Sequence, residues 1–199
     1  DVPMTLIARG DFPPVNFKEL VPYLRANRAK VSLANAGLGA ASHLCGLIFL
    51  STIEVDLVTV PYKGTAPAMN DLLGGQVDMT FTSVGASLQH LKTGRLKALA
   101  ISTAKRFPSL PDLPTMGETV PGVVSSGWIV MMVPTGTPEP IIQKLNTDLR
   151  KVVAMPDVQD KFHALGTYTR DLTPQQTNDF LRSEEKLWWP IVKPIVQQN

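Results

Sequence analysis

Cysteine, histidine and aromatic side chains are scarce in this chain of 199 residues: one Cys, three His, and 7% Phe, Trp and Tyr together. A single cysteine excludes an internal disulfide framework. Cys45 lies in the apolar run HLCGLIFL at positions 43–50, which reads as a buried structural thiol rather than a nucleophile. Three scattered histidines, His43, His90 and His163, with one Cys make a poor ligand set, so neither a metal nor a cofactor is expected. Charge is also sparse. Charged residues make up 18%, the net charge is +2, and no Lys/Arg run supports a nucleic-acid partner. No apolar segment reaches the length of a membrane span, and no signal peptide is visible. Low cysteine usage suits the cytosol and the bacterial periplasm equally.

What is present is ordinary globular material: 44% apolar residues and 17 prolines, many near the ends of expected elements. The length allows one domain or two small ones with a real core. Residues 4–8 read as a short strand. Asn16, with Glu19 three residues on, forms a capping box for a helix over 17–26. A strand over 31–34 leads into the loop NAGLGAAS at 35–42 and a buried helix over 43–51. A strand over 55–60 precedes a helix over 66–73, with Thr65 as N-cap and Pro67 in the first turn. Gly74-Gly75 end that helix. Further strands are expected over 77–81 and 96–102, with a helix over 86–92 between them.

Four prolines fall between 108 and 121, with one short helical turn near 115–119. The run 128–133 reads as an apolar strand. Thr137 is expected to cap a long amphipathic helix over 138–154, with Ile141, Ile142, Leu145, Leu149, Val152 and Val153 on one face. Helices over 157–164 and 174–189 follow, the second capped by Thr173. The alternation of strand and helix predicts an α/β protein with a mainly parallel sheet.

Ligands in such sheets sit beyond the carboxyl ends of the strands, where loops open helices. Three loops qualify: 35–42, 62–65 and 82–85. Their Gly, Ser, Thr and Asn residues permit close backbone approach, and helix starts leave N–H groups free for an anion. That chemistry points to binding something negative rather than transforming it. Sharper motifs fall short. Gly37-Leu38-Gly39 is followed by Ser42 where a dinucleotide fingerprint needs a third glycine, and Asp56 lies in a strand rather than at a ribose. Ser42-His43 suggests a nucleophile and base, but adjacent helix residues do not face one another. His43 instead packs against or caps the helix start.

These segments carry a resemblance. VPYKGTAPAMNDLLGGQVDMTF, NAGLGAASH, LKTGRLKALAISTAKR with LPDLPTMGE, and GWIVMMVPTGTPEPIIQKLN together resemble the extracytoplasmic substrate-binding proteins of tripartite tricarboxylate transporters, the Bug-type receptors. The resemblance runs through most of the chain. It implies a periplasmic-binding-protein-like fold (type II) with one near-complete α/β domain, residues 1–125. Residues 126–199 would be the C-terminal part of the other domain, with its hinge strand and long helices. It further implies a periplasmic protein, not an enzyme, that hands a small carboxylate to membrane transporter subunits. The ligand-binding positions carried over are Asn35, Ala36, Gly37, Ala41 and Ser42, then Gly64 and Thr65, then Thr82 and Ser83.

The chain departs from the family pattern in places. The family commonly has Ser and Thr where this chain has Asn35 and Ala40, and Asp-Asn or similar where it has Thr82-Ser83. Without a carboxylate to meet an ammonium group, a plain mono- or dicarboxylate fits better than an amino acid. The family's first N-terminal portion has no counterpart here, so the chain reads as an N-terminally truncated member that begins in mid-fold. Uncovered helix faces at Ile141, Leu145, Leu149, Trp188 and Trp189 would then favour a homodimer. The alternative function is a non-transport relative acting as a sensory or protein-interaction module.

Overall fold

A computed structural model describes residues 1–108 and 110–196. The chain forms two compact units. One comprises Val2–Trp128; the other comprises Asp1 together with the chain from Ile129 onward.

The first unit is built on a mixed sheet. Its strands are β1 (Val2–Arg9), β2 (Ser32–Asn35), β3 (Val58–Pro61), β4 (Met79–Ser83), β5 (Leu96–Ile101) and the two-residue β6 (Ser126–Gly127). The order across the sheet is β3-β2-β4-β1-β5, with β6 pairing the start of β1. Strands β2, β3 and β4 are mutually parallel, as expected. Strand β1 runs antiparallel to β4, β5 and β6, so the sheet is mixed rather than mainly parallel. The reason is visible in β1 itself. Pro3–Ala8 is a continuous buried run, the pattern of a strand covered on both faces, and it sits between two neighbours instead of at an edge.

Helices cover both faces. On one, α1 (Phe17–Asn27) and α2 (Ala41–Ile53) pack Phe17, Leu20, Leu24, Cys45, Phe49 and Ile53 onto Met4, Leu6, Ala8, Met79 and Phe81. Phe49 stands at the centre, its ring 5.7 Å from Phe17 and 6.0 Å from Phe81. On the other, α3 (Thr65–Leu73) and α4 (Val84–Lys92) bring Ala68, Met69, Leu72 and Leu91 onto Ile7 and Ala34. Alternate residues of β1 thus serve two different cores.

Local signals set the helix starts where side chains act as caps. Asn16 Oδ1 accepts the Glu19 N–H at 3.0 Å, while Glu19 reaches back to the Val15 N–H at 3.2 Å. Thr65 is not the cap of α3 but its first residue; Gly64, at φ 112, takes the N-cap place. Thr82 and Ser83 lie in β4 rather than in a loop, because α4 begins directly after the strand.

The second unit contains α5 (Glu139–Val153), α6 (Pro156–Ala164) and α7 (Pro174–Val196). Thr173 caps α7, its Oγ1 accepting the Gln176 N–H at 3.2 Å. Thr137 does not cap α5: its hydroxyl donates to the Pro134 carbonyl, and Pro138 occupies the cap position. The run 128–133 is irregular rather than a strand. A strand needs a neighbour for its backbone groups, and among the described residues none pairs with this run. Ile129 is 87% exposed. No residue of α5 or α6 is fully buried, so the apolar row Ile141, Leu145, Leu149 and Val152 on α5 stays open.

Candidate anion-binding edge

The carboxyl ends of β3, β2 and β4 lie side by side, and each strand feeds a helix: α3, α2 and α4 respectively. All nine residues expected to bind ligand fall on this edge. They are Asn35, Ala36, Gly37, Ala41 and Ser42 after β2; Gly64 and Thr65 after β3; and Thr82 and Ser83 at the end of β4.

The first loop is held by its own polar groups. Asn35 is buried, and its Oδ1 accepts the Gly37 N–H at 2.9 Å, an Asx turn. Ser42 Oγ accepts the Ala36 N–H at 2.9 Å. His43 Nδ1 accepts the Gly39 N–H at 3.1 Å, and burial pulls the imidazole below its usual pKa, keeping it neutral. Gly37 and Gly39 take φ of 118° and 77°, in the region where only glycine is at ease. A Cβ on Gly37 would also stand 3.1 Å from the Tyr62 carbonyl.

The second loop is tied to the first through the backbone. Tyr62 N–H donates to the Asn35 carbonyl at 2.9 Å and Gly64 N–H to the Ala36 carbonyl at 3.1 Å. Tyr62 Oη donates to Asp71 on α3 at 2.6 Å, and that carboxylate pushes the phenol up to about 12. Lys63 is exposed beside this loop. On the third strand, Thr82 is buried and stands opposite Thr5 of β1, whose hydroxyl is buried without a partner.

The arrangement leaves amides unspent. None of α2, α3 and α4 has a side-chain N-cap. The first backbone bond of α2 runs from Leu44 N–H to the Ala40 carbonyl. Among the described residues the N–H groups of Ala41, Ser42 and His43 therefore have no partner. Orphan amides at a helix start favour an anion, by about 0.3–1 kcal/mol for a charge at an exposed terminus.

Nucleophilic chemistry has no such support. Ser42 and His43 each bond a loop amide and not each other. The Cys45 thiol is buried 2.8 Å from Ser125 Oγ, and burial pushes it up to about 11. Among the described residues no three His, Cys, Asp or Glu side chains gather as metal ligands. A cavity of about 20 Å³ beneath the first loop, against Leu33, Leu47 and Thr59, holds no more than a water. In the second unit a hollow of about 480 Å³ is bordered by Arg150, Lys151 and Arg170, and both arginines are already paired, to Asp171 and Asp1.

The family resemblance picks out nine positions, seven in the loops and helix starts after β2 and β3 and two, Thr82 and Ser83, at the end of β4. It left out the His43–Gly39 and Tyr62–Asp71 bonds. The four-residue spacing of Gly39 and His43 is a signal for the first, since a helix-start side chain can reach back by that distance. The second joins a strand end to a helix side and has no local signature.

The model for the Tripartite tricarboxylate transporter family receptor matches residues 1–196. Among solved structures, that of the periplasmic binding protein BugD is 45% identical with a TM-score of 0.91, covering 97% of this chain and 66% of BugD. R. palustris Rpa4515 with adipate is 31% identical with a TM-score of 0.91, over 96% of this chain and 64% of that one. MatC from Rhodopseudomonas palustris with bound malate is 32% identical with a TM-score of 0.86, over 96% and 66%. The chain spans 57%, 49% and 60% of the length of three curated relatives.

Proposed function

The chain belongs to the tripartite tricarboxylate transporter receptor family, and from that footing we propose that it captures a small mono- or dicarboxylate outside the cytoplasmic membrane. In this reading it is a periplasmic solute-binding protein that delivers its ligand to transporter subunits of the tripartite tricarboxylate type and performs no chemistry. The unit Val2–Trp128 is the second, ligand-binding domain of the family, and the chain from Ile129 onward is the C-terminal part of the first.

The observation that carries the proposal is the edge formed by β3, β2 and β4, where three uncapped helices begin. A carboxylate is small, flat and singly charged. Backbone amides and the hydroxyls of Ser42, Thr65, Thr82 and Ser83 can surround it without a buried counter-charge. Adipate and malate in the structures of relatives belong to the same chemical class. The want of an acidic side chain among the nine positions argues against an amino-acid ligand, whose ammonium group would be left unpaired.

The test is calorimetry and thermal shift on this chain with acetate, adipate, malate, citrate and benzoate. Saturable binding of at least one, weakened by replacing Thr65 with Val, is the expected result. Heat and melting temperature unchanged by the whole panel would remove the carboxylate reading. A second reading, a protein-interaction module, rests on the open apolar row Ile141, Leu145, Leu149 and Val152, and a homodimer through that face is compatible with either function.

A further inference from the structure

The first ligand loop has a weakness and a remedy. Two of its residues, Gly37 and Gly39, adopt positive φ, and glycine loses more conformational freedom on ordering than any other residue. Between them Leu38 is exposed. Gly37 is anchored from the strand side by Asn35 Oδ1, and Ala36 by Ser42 Oγ. Like Ser42, His43 acts from α2: it is 7% exposed, and its Nδ1 takes the Gly39 N–H. That bond closes the turn immediately ahead of Ala41, Ser42 and His43, whose amides have no partner among the described residues.

We propose that His43 is a positioning residue for ligand binding: as a neutral imidazole protonated on Nε2, it accepts the Gly39 N–H and thereby preorganises the amides at the start of α2. The inference rests on the carboxylate reading above. The role demands one tautomer. A proton on Nδ1 would set two donors face to face and release Gly39. It also assigns His43 a task other than catalysis, since its ring faces a loop amide and not the Ser42 hydroxyl. A ligand meeting an ordered loop does not have to order it, which raises affinity without adding a contact.

Two substitutions separate an acceptor from a space-filler. His43→Asn keeps an acceptor atom at the δ position and loses ring volume. His43→Leu keeps apolar bulk and loses the acceptor. Affinity for whichever of adipate, malate, citrate, acetate and benzoate the wild-type chain binds is measured by calorimetry, beside amide hydrogen exchange at Gly39. Positioning predicts that His43→Leu weakens binding about tenfold and speeds Gly39 exchange, whereas His43→Asn stays near wild type in both. A nitrogen-15 spectrum of the wild type should place the proton on Nε2. The reverse ranking, with Leu binding as wild type and Asn weaker, would mean that only packing matters and would overturn the proposal. So would Gly39 exchange that is equal in wild type and His43→Leu. Failure of the wild-type chain to bind any of the five acids strikes the carboxylate reading itself, before any variant is made, and takes the inference with it.

Discussion

Single residues carry most of what makes the edge specific. Gly37 is the sharpest case, because its φ of 118° disfavours any side chain and a Cβ there would stand 3.1 Å from the Tyr62 carbonyl, tighter than ordinary contact. Gly37→Ala should lower stability by about 1–3 kcal/mol in urea unfolding and weaken carboxylate binding further, since the strain would be relieved by moving the loop. Titrating residues give a pH signature. Glu118, bonded by Arg106 and the Thr115 N–H, is held at about 2 against an ordinary 4.5. A lowered carboxylate pKa stabilises the fold above pH 4.5 and is lost as pH falls toward 2. His43 is also lowered, by burial, from 6.5, so the unfolded chain takes up a proton that the folded one refuses. Stability should therefore begin to decline below pH 6.5 and decline further below 4.5. Urea midpoints from pH 7.5 to 3.5 test this, and His43→Asn should flatten the upper part of the curve while Glu118→Gln flattens the lower.

At the scale of elements, caps and pairing behave differently. Helices α1 and α7 start where Asn16 and Thr173 place a side-chain acceptor, and both starts were legible because a cap is a matter of three or four consecutive residues. Asn16→Ala should cost about 1 kcal/mol, read as a lower melting temperature with unchanged carboxylate affinity, since α1 lies away from the proposed binding edge. Helices α2, α3 and α4 start without side-chain caps. Thr65 looked like a cap from its type and its place before Pro67, but Gly64 turns the chain first, at φ 112. Strands were less legible. Residues 128–133 have strand-forming composition, but among the described residues no strand runs beside them, and composition alone cannot supply one.

For the whole molecule, the open row on α5 is the feature with a measurable consequence. Ile141, Leu145, Leu149 and Val152 are at least one-third exposed, an apolar row of the kind that marks interaction surfaces when it is large. Sedimentation at increasing concentration should reveal reversible self-association, and Leu145→Glu should abolish it without altering carboxylate affinity. A monomer at all concentrations would leave the homodimer without support.

Sequence alone determined the local chemistry: the loop of small and polar residues at 35–42, the caps at Asn16 and Thr173, and the motifs that place the chain in its family. These depend on residues a few positions apart, so their spacing is written in the chain. Tertiary structure decided that β1 lies antiparallel between β4 and β5, which makes the sheet mixed rather than mainly parallel, and that Thr5 meets Thr82 across 77 positions. It also decided that His43 spends its lone pair on Gly39 rather than on Ser42. Strand neighbours are chosen by burial and hydrogen bonding between distant segments, and neither leaves a mark in local spacing.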